Sequence, residues 1–136
     1  MIKLLTKTAK MPTRATQYAA GLDLYADESC VIAHHTRRWV STGIAVAIDP
    51  YMVGQVWPRS GKAGKGMDTS AGVIDADYRG ELQVLLVNES DDDLAIHAED
   101  RIAQLLIVPV AHPTLIEVDE LPVTDRGVNG FGHSGE

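Results

Sequence analysis

The chain has 136 residues, enough for one domain with a real core, and is 45% hydrophobic and 23% charged, as in ordinary globular proteins. Its formal net charge of −7 excludes a sequence-independent grip on nucleic-acid backbone, so an anionic ligand has to meet locally concentrated cations or a recruited metal. Cys30 is the only cysteine, which excludes an internal disulfide and fits a reducing compartment.

In chain order, the opening Met1–Thr6 carries too short an apolar run for a signal peptide. No later window approaches membrane-spanning length. The expectation is a cytoplasmic protein with no membrane partner. In Ala20-Gly21-Leu22-Asp23-Leu24-Tyr25 an acid precedes an apolar residue near a strand start. Alone, Asp23 reads as a turn or capping acid. Ile44, Val46 and Ile48 then alternate with small alanines until Asp49-Pro50 stops the run, and Met52 to Trp57 follows as a second strand. Pro58-Arg59-Ser60-Gly61 reads as a surface turn. Lys62 to Asp68, rich in Gly and Lys, predicts a loop with room for one helical turn. Gly61 to Gly66 invites a P-loop reading, which fails because Met67 and Asp68 stand where the lysine and hydroxyl residue are needed.

Gly72-Val73-Ile74-Asp75-Ala76-Asp77-Tyr78-Arg79-Gly80 is the most informative stretch. Two apolar β-formers meet two carboxylates, a ring and a cation before the next apolar run, so it predicts a hairpin: strand, polar bend, strand. Such a bend can hold a small polar ligand. The bland alternative for Asp75 is a bend aspartate bonded to its own backbone, and for Tyr78 a half-buried strand tyrosine. Glu81 to Val87 is apolar apart from Gln83 after its first residue, and Arg101 to Val110 forms another run, with Gln104 as a lone amide of the kind usually satisfied in a core or at an edge. Leu115 to Glu120 alternates less cleanly. The last twelve residues, Asp125 to Glu136, hold glycines, Arg126 and the only phenylalanine, Phe131. They predict a mobile tail able to order over a ligand. Scarce helix signals, frequent short strands and no internal repeat predict an all-β sandwich or barrel. The five histidines, His34 and His35 among them, lack zinc spacing.

Read together, the blocks Ala20 to Tyr25, Pro58 to Gly61, Gly72 to Gly80, Asp100-Arg101-Ile102-Ala103-Gln104-Leu105 and Arg126-Gly127-Val128-Asn129-Gly130-Phe131-Gly132-His133-Ser134-Gly135 resemble, in order, the motifs of the trimeric dUTPase family. The resemblance covers essentially the whole chain. It implies a single β jelly-roll or distorted barrel domain over residues 1–124, with residues 125–136 as its flexible lid. It implies a homotrimer with active sites shared between subunits. The implied reaction is Mg²⁺-dependent hydrolysis of dUTP to dUMP and pyrophosphate, which limits uracil in DNA and supplies dUMP for thymidylate synthesis.

The resemblance also implies roles. Asp75 orients and deprotonates the water that attacks the α-phosphorus, help worth typically ~10²–10⁴-fold. Tyr78 lies against the deoxyribose and leaves no room for a 2′-hydroxyl. Val73, Ile74 and Gln83 match positions that read the uracil edge, and Thr69 falls where some members place a base-contacting asparagine. Ser60 and Gly61 hold the oxygen bridging the α- and β-phosphates, and Arg59 supports the phosphate region. Gln104 contacts phosphate and helps place the water. Asp23 supports Mg²⁺ indirectly, through a metal-bound water, while the ion binds mainly phosphate oxygens. Arg126 reaches the γ-phosphate end, Phe131 stacks over the uracil, and Gly132, His133 and Ser134 meet phosphate. Lys62 and Val128-Asn129 depart from the family pattern, and the connection from Ser60 to Asp75 is short. Two other functions stay open at this stage. A dCTP deaminase of the same superfamily needs a glutamate where Leu85 stands, and an apolar side chain shuttles no proton. A non-catalytic regulatory trimer that binds dUTP is the other.

Overall fold

The computed structural model describes residues 1–130. Ten strands and one helical turn follow in order: β1 Ile2–Leu4, β2 Leu22–Tyr25, β3 Cys30–Ile32, β4 Arg37–Val46, β5 Met52–Trp57, α1 Ser60–Ala63, β6 Met67–Ser70, β7 Val73–Ile74, β8 Glu81–Asn88, β9 Leu94–Ile96 and β10 Arg101–Pro109. One antiparallel sheet runs β1-β4-β8-β6, a second runs β2-β10-β5-β7, and β3 pairs with β9 as a separate ribbon. The all-β expectation holds. The sheets stay open, so the described residues form no closed barrel.

Alternation builds the core. Along β8 the side chains of Leu82, Val84, Leu86 and Asn88 are buried while Gln83 faces out, although the sequence there is almost continuously apolar. Val40, Thr42 and Ile44 do the same on β4. Leu24, Ile102 and Leu105 from the second sheet join Ile32 and Ile96 of the ribbon in the same apolar cluster. Asn88 is fully buried, and its amide donates to Ile32 O at 3.0 Å and Asp92 O at 2.8 Å, which ties β8 to the ribbon. Burial raises the thiol pKa of Cys30, on β3, above its ordinary value.

β4 carries a register shift between Ser41 and Ala45. Gly43 sits in the shift at φ +64°, with Asp27 Oδ2 only 2.6 Å from where a Cβ would lie, so both its backbone and its surroundings require glycine. Its N–H donates to the Glu81 carboxylate at 2.9 Å.

Several expectations need correction. The expected hairpin around Asp75 does not exist, because β7 pairs with β5 in one sheet and β8 pairs with β4 and β6 in the other. The Asp75 bend is a corner between sheets. The loop expected over Lys62 to Asp68 is shorter: one turn of helix opens at Ser60, and Met67, 3% exposed, already begins β6. Ile48 lies beyond the end of β4. Leu115 to Glu120 forms no strand, and Leu115, Ile116, Leu121 and Val123 are widely exposed. No described helix is long and apolar enough to cross a membrane.

Candidate active site

The corner at Asp75 is built by close approach. Val56 N donates to Gly72 O at 2.7 Å, and a Cβ on Gly72 would lie 2.5 Å from Val56 O, so only glycine lets the chain come this near β5. Ala71, just before it, is held at φ +54°, which is strained for a residue with a Cβ. Val73 and Ile74 then pair with Gln55 and Gly54 of β5. The chain turns at once, and Tyr78 N donates to Asp75 O at 3.1 Å. Arg79 clamps the turn from outside, with one guanidinium nitrogen donating to Ala76 O at 2.6 Å and Tyr78 O at 2.8 Å.

The Tyr78 hydroxyl donates to Glu81 O at 2.9 Å, which draws its ring across Gly80. A Cβ on Gly80 would lie 2.6 Å from the ring's Cζ. The glycine is therefore the seat of the ring. The Asp75 carboxylate, by contrast, accepts no hydrogen bond and pairs with no cation among the described residues, and it is exposed. A bend aspartate closing on its own backbone would show such a bond. Asp77 is likewise exposed and unpaired among them, a solvated carboxylate.

Asp75 opens onto a cavity of about 340 Å³ lined also by Trp39, Ala71, Val73, Ile74, Tyr78, Glu81 and Gln83. Of the lining residues, Val73, Ile74, Tyr78 and Gln83 were singled out from sequence, and Trp39, Ala71 and Glu81 were not. Glu81 is half-buried, accepting from Ser41 Oγ and Gly43 N, and its other oxygen lies 3.4 Å from the Gln83 amide nitrogen. An acid opening an apolar strand was the only signal for it. Trp39 lies on β4, 36 residues before Asp75 in the chain, and reaches the cavity through the pairing of β4 with β8, with no local signal at all.

A second cluster gathers elsewhere. Arg59 Nε donates to Asp23 Oδ1 at 2.9 Å, and an Arg101 nitrogen to Asp23 Oδ2 at 3.3 Å. Asp23 is 8% exposed and thus serves as the anchor of two guanidinium groups. Gln104, opposite Asp23 in the β2–β10 ladder, donates through its amide nitrogen to Pro58 O at 2.9 Å. A Cβ on Gly21 would lie 2.5 Å from Gln104 Oε1, so the glycine makes room for the amide. Ser60 and Gly61 open α1, where first-turn N–H groups have no partner within the helix, and nothing lies within 4 Å of a Cβ built on Gly61. Asp23, Arg59, Ser60, Gly61 and Gln104 share a pocket of about 240 Å³.

The two pockets share no lining residue. Thr69 lies on β6 opposite Leu86 and lines neither. Arg126 is exposed and bonds to Asn129 O and Gly130 O of its own tail at 2.9 and 3.0 Å. Phe131, Gly132, His133 and Ser134 lie outside the described residues. Among the described residues no group of three His, Cys, Asp or Glu side chains could hold a metal ion. Both Asp23 oxygens already accept guanidinium N–H groups, so this donor set does not fit a divalent cation held by protein alone.

A dUTPase family model matches residues 7–135. The probable deoxyuridine 5′-triphosphate nucleotidohydrolase of Schizosaccharomyces pombe is 45% identical over 135 residues, covering 98% of this chain and 96% of that protein. The deoxyuridine 5′-triphosphate nucleotidohydrolase of variola virus is 42% identical, covering 96% of this chain and 88% of the relative. Among solved structures, the dUTPase of Staphylococcus bacteriophage 80alpha with dUpNHpp superposes with a TM-score of 0.94 at 32% identity, covering 100% of this chain and 98% of the other. A mutant dUTPase from phage phi11 of S. aureus, described as revealing the coordination of a structural Mg(II) ion, superposes with a TM-score of 0.85 at 27% identity, covering 90% of this chain and 98% of that one.

Proposed function

This chain belongs to the dUTPase family, and from that premise we propose that it is a dUTP diphosphatase releasing dUMP and pyrophosphate. The observation that carries the reading is Asp75, an exposed carboxylate without a hydrogen-bond or ion-pair partner among the described residues, in the lining of a cavity shared with Tyr78 and Gln83. A water oxygen bonds to the α-phosphorus and gives its proton to Asp75. The bond from the α-phosphorus to the bridging oxygen breaks, and pyrophosphate leaves. Base assistance of this kind supplies about 10²–10⁴-fold, and positioning with charge neutralisation supplies the rest.

Ser60 and Gly61 receive the charge that grows on the bridging oxygen. Arg59, fixed by Asp23, faces the phosphates, and Gln104 keeps an oxygen beside Gly21 for a water or phosphate contact. Tyr78, seated over Gly80, closes the space a 2′-hydroxyl would need. Mg²⁺ would come with the substrate, held by phosphate oxygens rather than by a protein donor set, and would offset the triphosphate's charge. The residue 125–136 arm, with Arg126 and Phe131, then covers the ligand. The family resemblance implies a homotrimer, and on that reading the complete site joins Asp75 of one subunit to Ser60 and Gln104 of another, an arrangement that the separate pockets of the two clusters fit. The exposed apolar side chains of Leu115, Ile116 and Leu121 fit such an assembly. In the cell the reaction would limit uracil in DNA and supply dUMP for thymidylate synthesis.

Pyrophosphate release from dUTP, dCTP, dTTP and UTP with Mg²⁺ tests the proposal. Turnover of dUTP with little on the other three is expected. Deoxyuridine nucleotide appearing from dCTP would point to a deaminase, and dUTP binding without turnover to a regulator.

A further inference from the structure

Among the described residues, Trp39 is the one aromatic residue besides Tyr78 in the lining of the Asp75 cavity. It is 49% exposed on the face of β4 opposite that of buried Val40, with Leu85 of β8 as its cross-strand partner. Its indole N–H has no protein acceptor among the described residues, whereas Trp57 Nε1 donates to Gln55 Oε1 at 3.2 Å. A large exposed ring with an unused donor, facing a cavity that also holds a carboxylate, a tyrosine and an amide, suits a flat ligand with an apolar face and an oxygen acceptor.

We propose that Trp39 walls the nucleoside end of the pocket, contacting the pyrimidine–deoxyribose unit opposite the Tyr78 ring. The proposal rests on the dUTPase reading and adds a specific binding residue to it. Trp39 is not placed at the phosphates, so its contact is the same in the ground and transition states. It therefore lowers KM and leaves kcat alone. The contact also makes Trp39 an optical reporter, since the chain holds two tryptophans and the other, Trp57, lines neither the Asp75 nor the Asp23 pocket.

The experiment uses the full chain. In Trp57→Phe protein, where Trp39 is the sole tryptophan, titration with dUMP and with dUpNHpp should change the emission saturably, and Trp39→Phe protein should give no such response. In steady-state assays Trp39→Ala should raise KM for dUTP on the order of 10-fold, the scale of an aromatic contact to one base. Its kcat should stay within about threefold, and Trp39→Phe should recover most of the KM. The sedimentation profile of each variant should match that of the parent. An unchanged KM in Trp39→Ala, a ligand response carried by Trp57 alone, or loss of assembly together with kcat would overturn the proposal. A parent protein that releases no pyrophosphate from dUTP would sink the dUTPase reading instead, and the dUMP titration would still report on the wall.

Discussion

Two aspartates define this molecule, and they are opposites. Asp23 is buried on β2, with an arginine on each carboxylate oxygen. Asp75 is exposed at a sheet corner, and among the described residues nothing bonds to its carboxylate. A carboxylate whose two oxygens each accept a guanidinium N–H fixes its neighbours. One left open, on a backbone clamped by Gly72, Arg79 and the Tyr78 turn, is free to serve the proposed reaction from a rigid mount. On the proposed mechanism the same side chain is scaffold in one place and base in the other, and the surroundings decide which.

Substitution should separate the two. The largest effect on chemistry is expected from Asp75→Asn, which keeps shape and removes the base. Its kcat for dUTP should fall about 10²–10⁴-fold, with the melting temperature unmoved because no bond is lost. Asp23→Ala should show the reverse balance. Two guanidinium groups lose their partner beside a buried position, costing about 1–3 kcal/mol, between the values for exposed and fully buried pairs since both arginines keep some solvent. Denaturant unfolding should show that loss, together with weaker dUTP binding as Arg59 drifts. Equal stability losses in the two variants would erase the distinction. A subtler change, Gly80→Ala, should lift the Tyr78 ring from its seat. The ratio of kcat/KM for dUTP over UTP should then drop roughly 10-fold, with overall turnover less affected.

Much of this was legible in the sequence because it is local. Met52 to Trp57, Glu81 to Val87 and Arg101 to Val110 correspond closely to β5, β8 and β10, since each combines β-forming apolar residues with a clear stop. The beginning of β4 was missed because Arg37, Arg38 and Trp39 are all exposed and carry no alternation. Strands of three residues such as β3 and β9 are too short for a period to register. The hairpin misreading has a different cause. Two strands on either side of a bend normally pair, and only the distant partners β5 and β4 reveal that they belong to separate sheets.

The site divides the same way. Asp75, Tyr78, Ser60 and Gln104 stand in motifs that can be read as text. The arginine pair on Asp23 joins residues 23, 59 and 101, and Trp39 meets the cavity only through its place beside β8, so neither leaves a mark in any one stretch of sequence. The room that Gly21 and Gly80 leave for Gln104 and Tyr78 is equally a property of the folded chain.

The central claim is that a working centre takes its base from one subunit and its phosphate-binding groups from another. Asp75→Asn and Gln104→Ala proteins, each inactive alone, should be unfolded together in equal amounts and refolded as a mixture. If the site is shared around a three-fold ring, random mixing restores one intact centre in every mixed trimer, and about a quarter of the parental dUTP turnover should return. A mixture no more active than its two components would contradict the account.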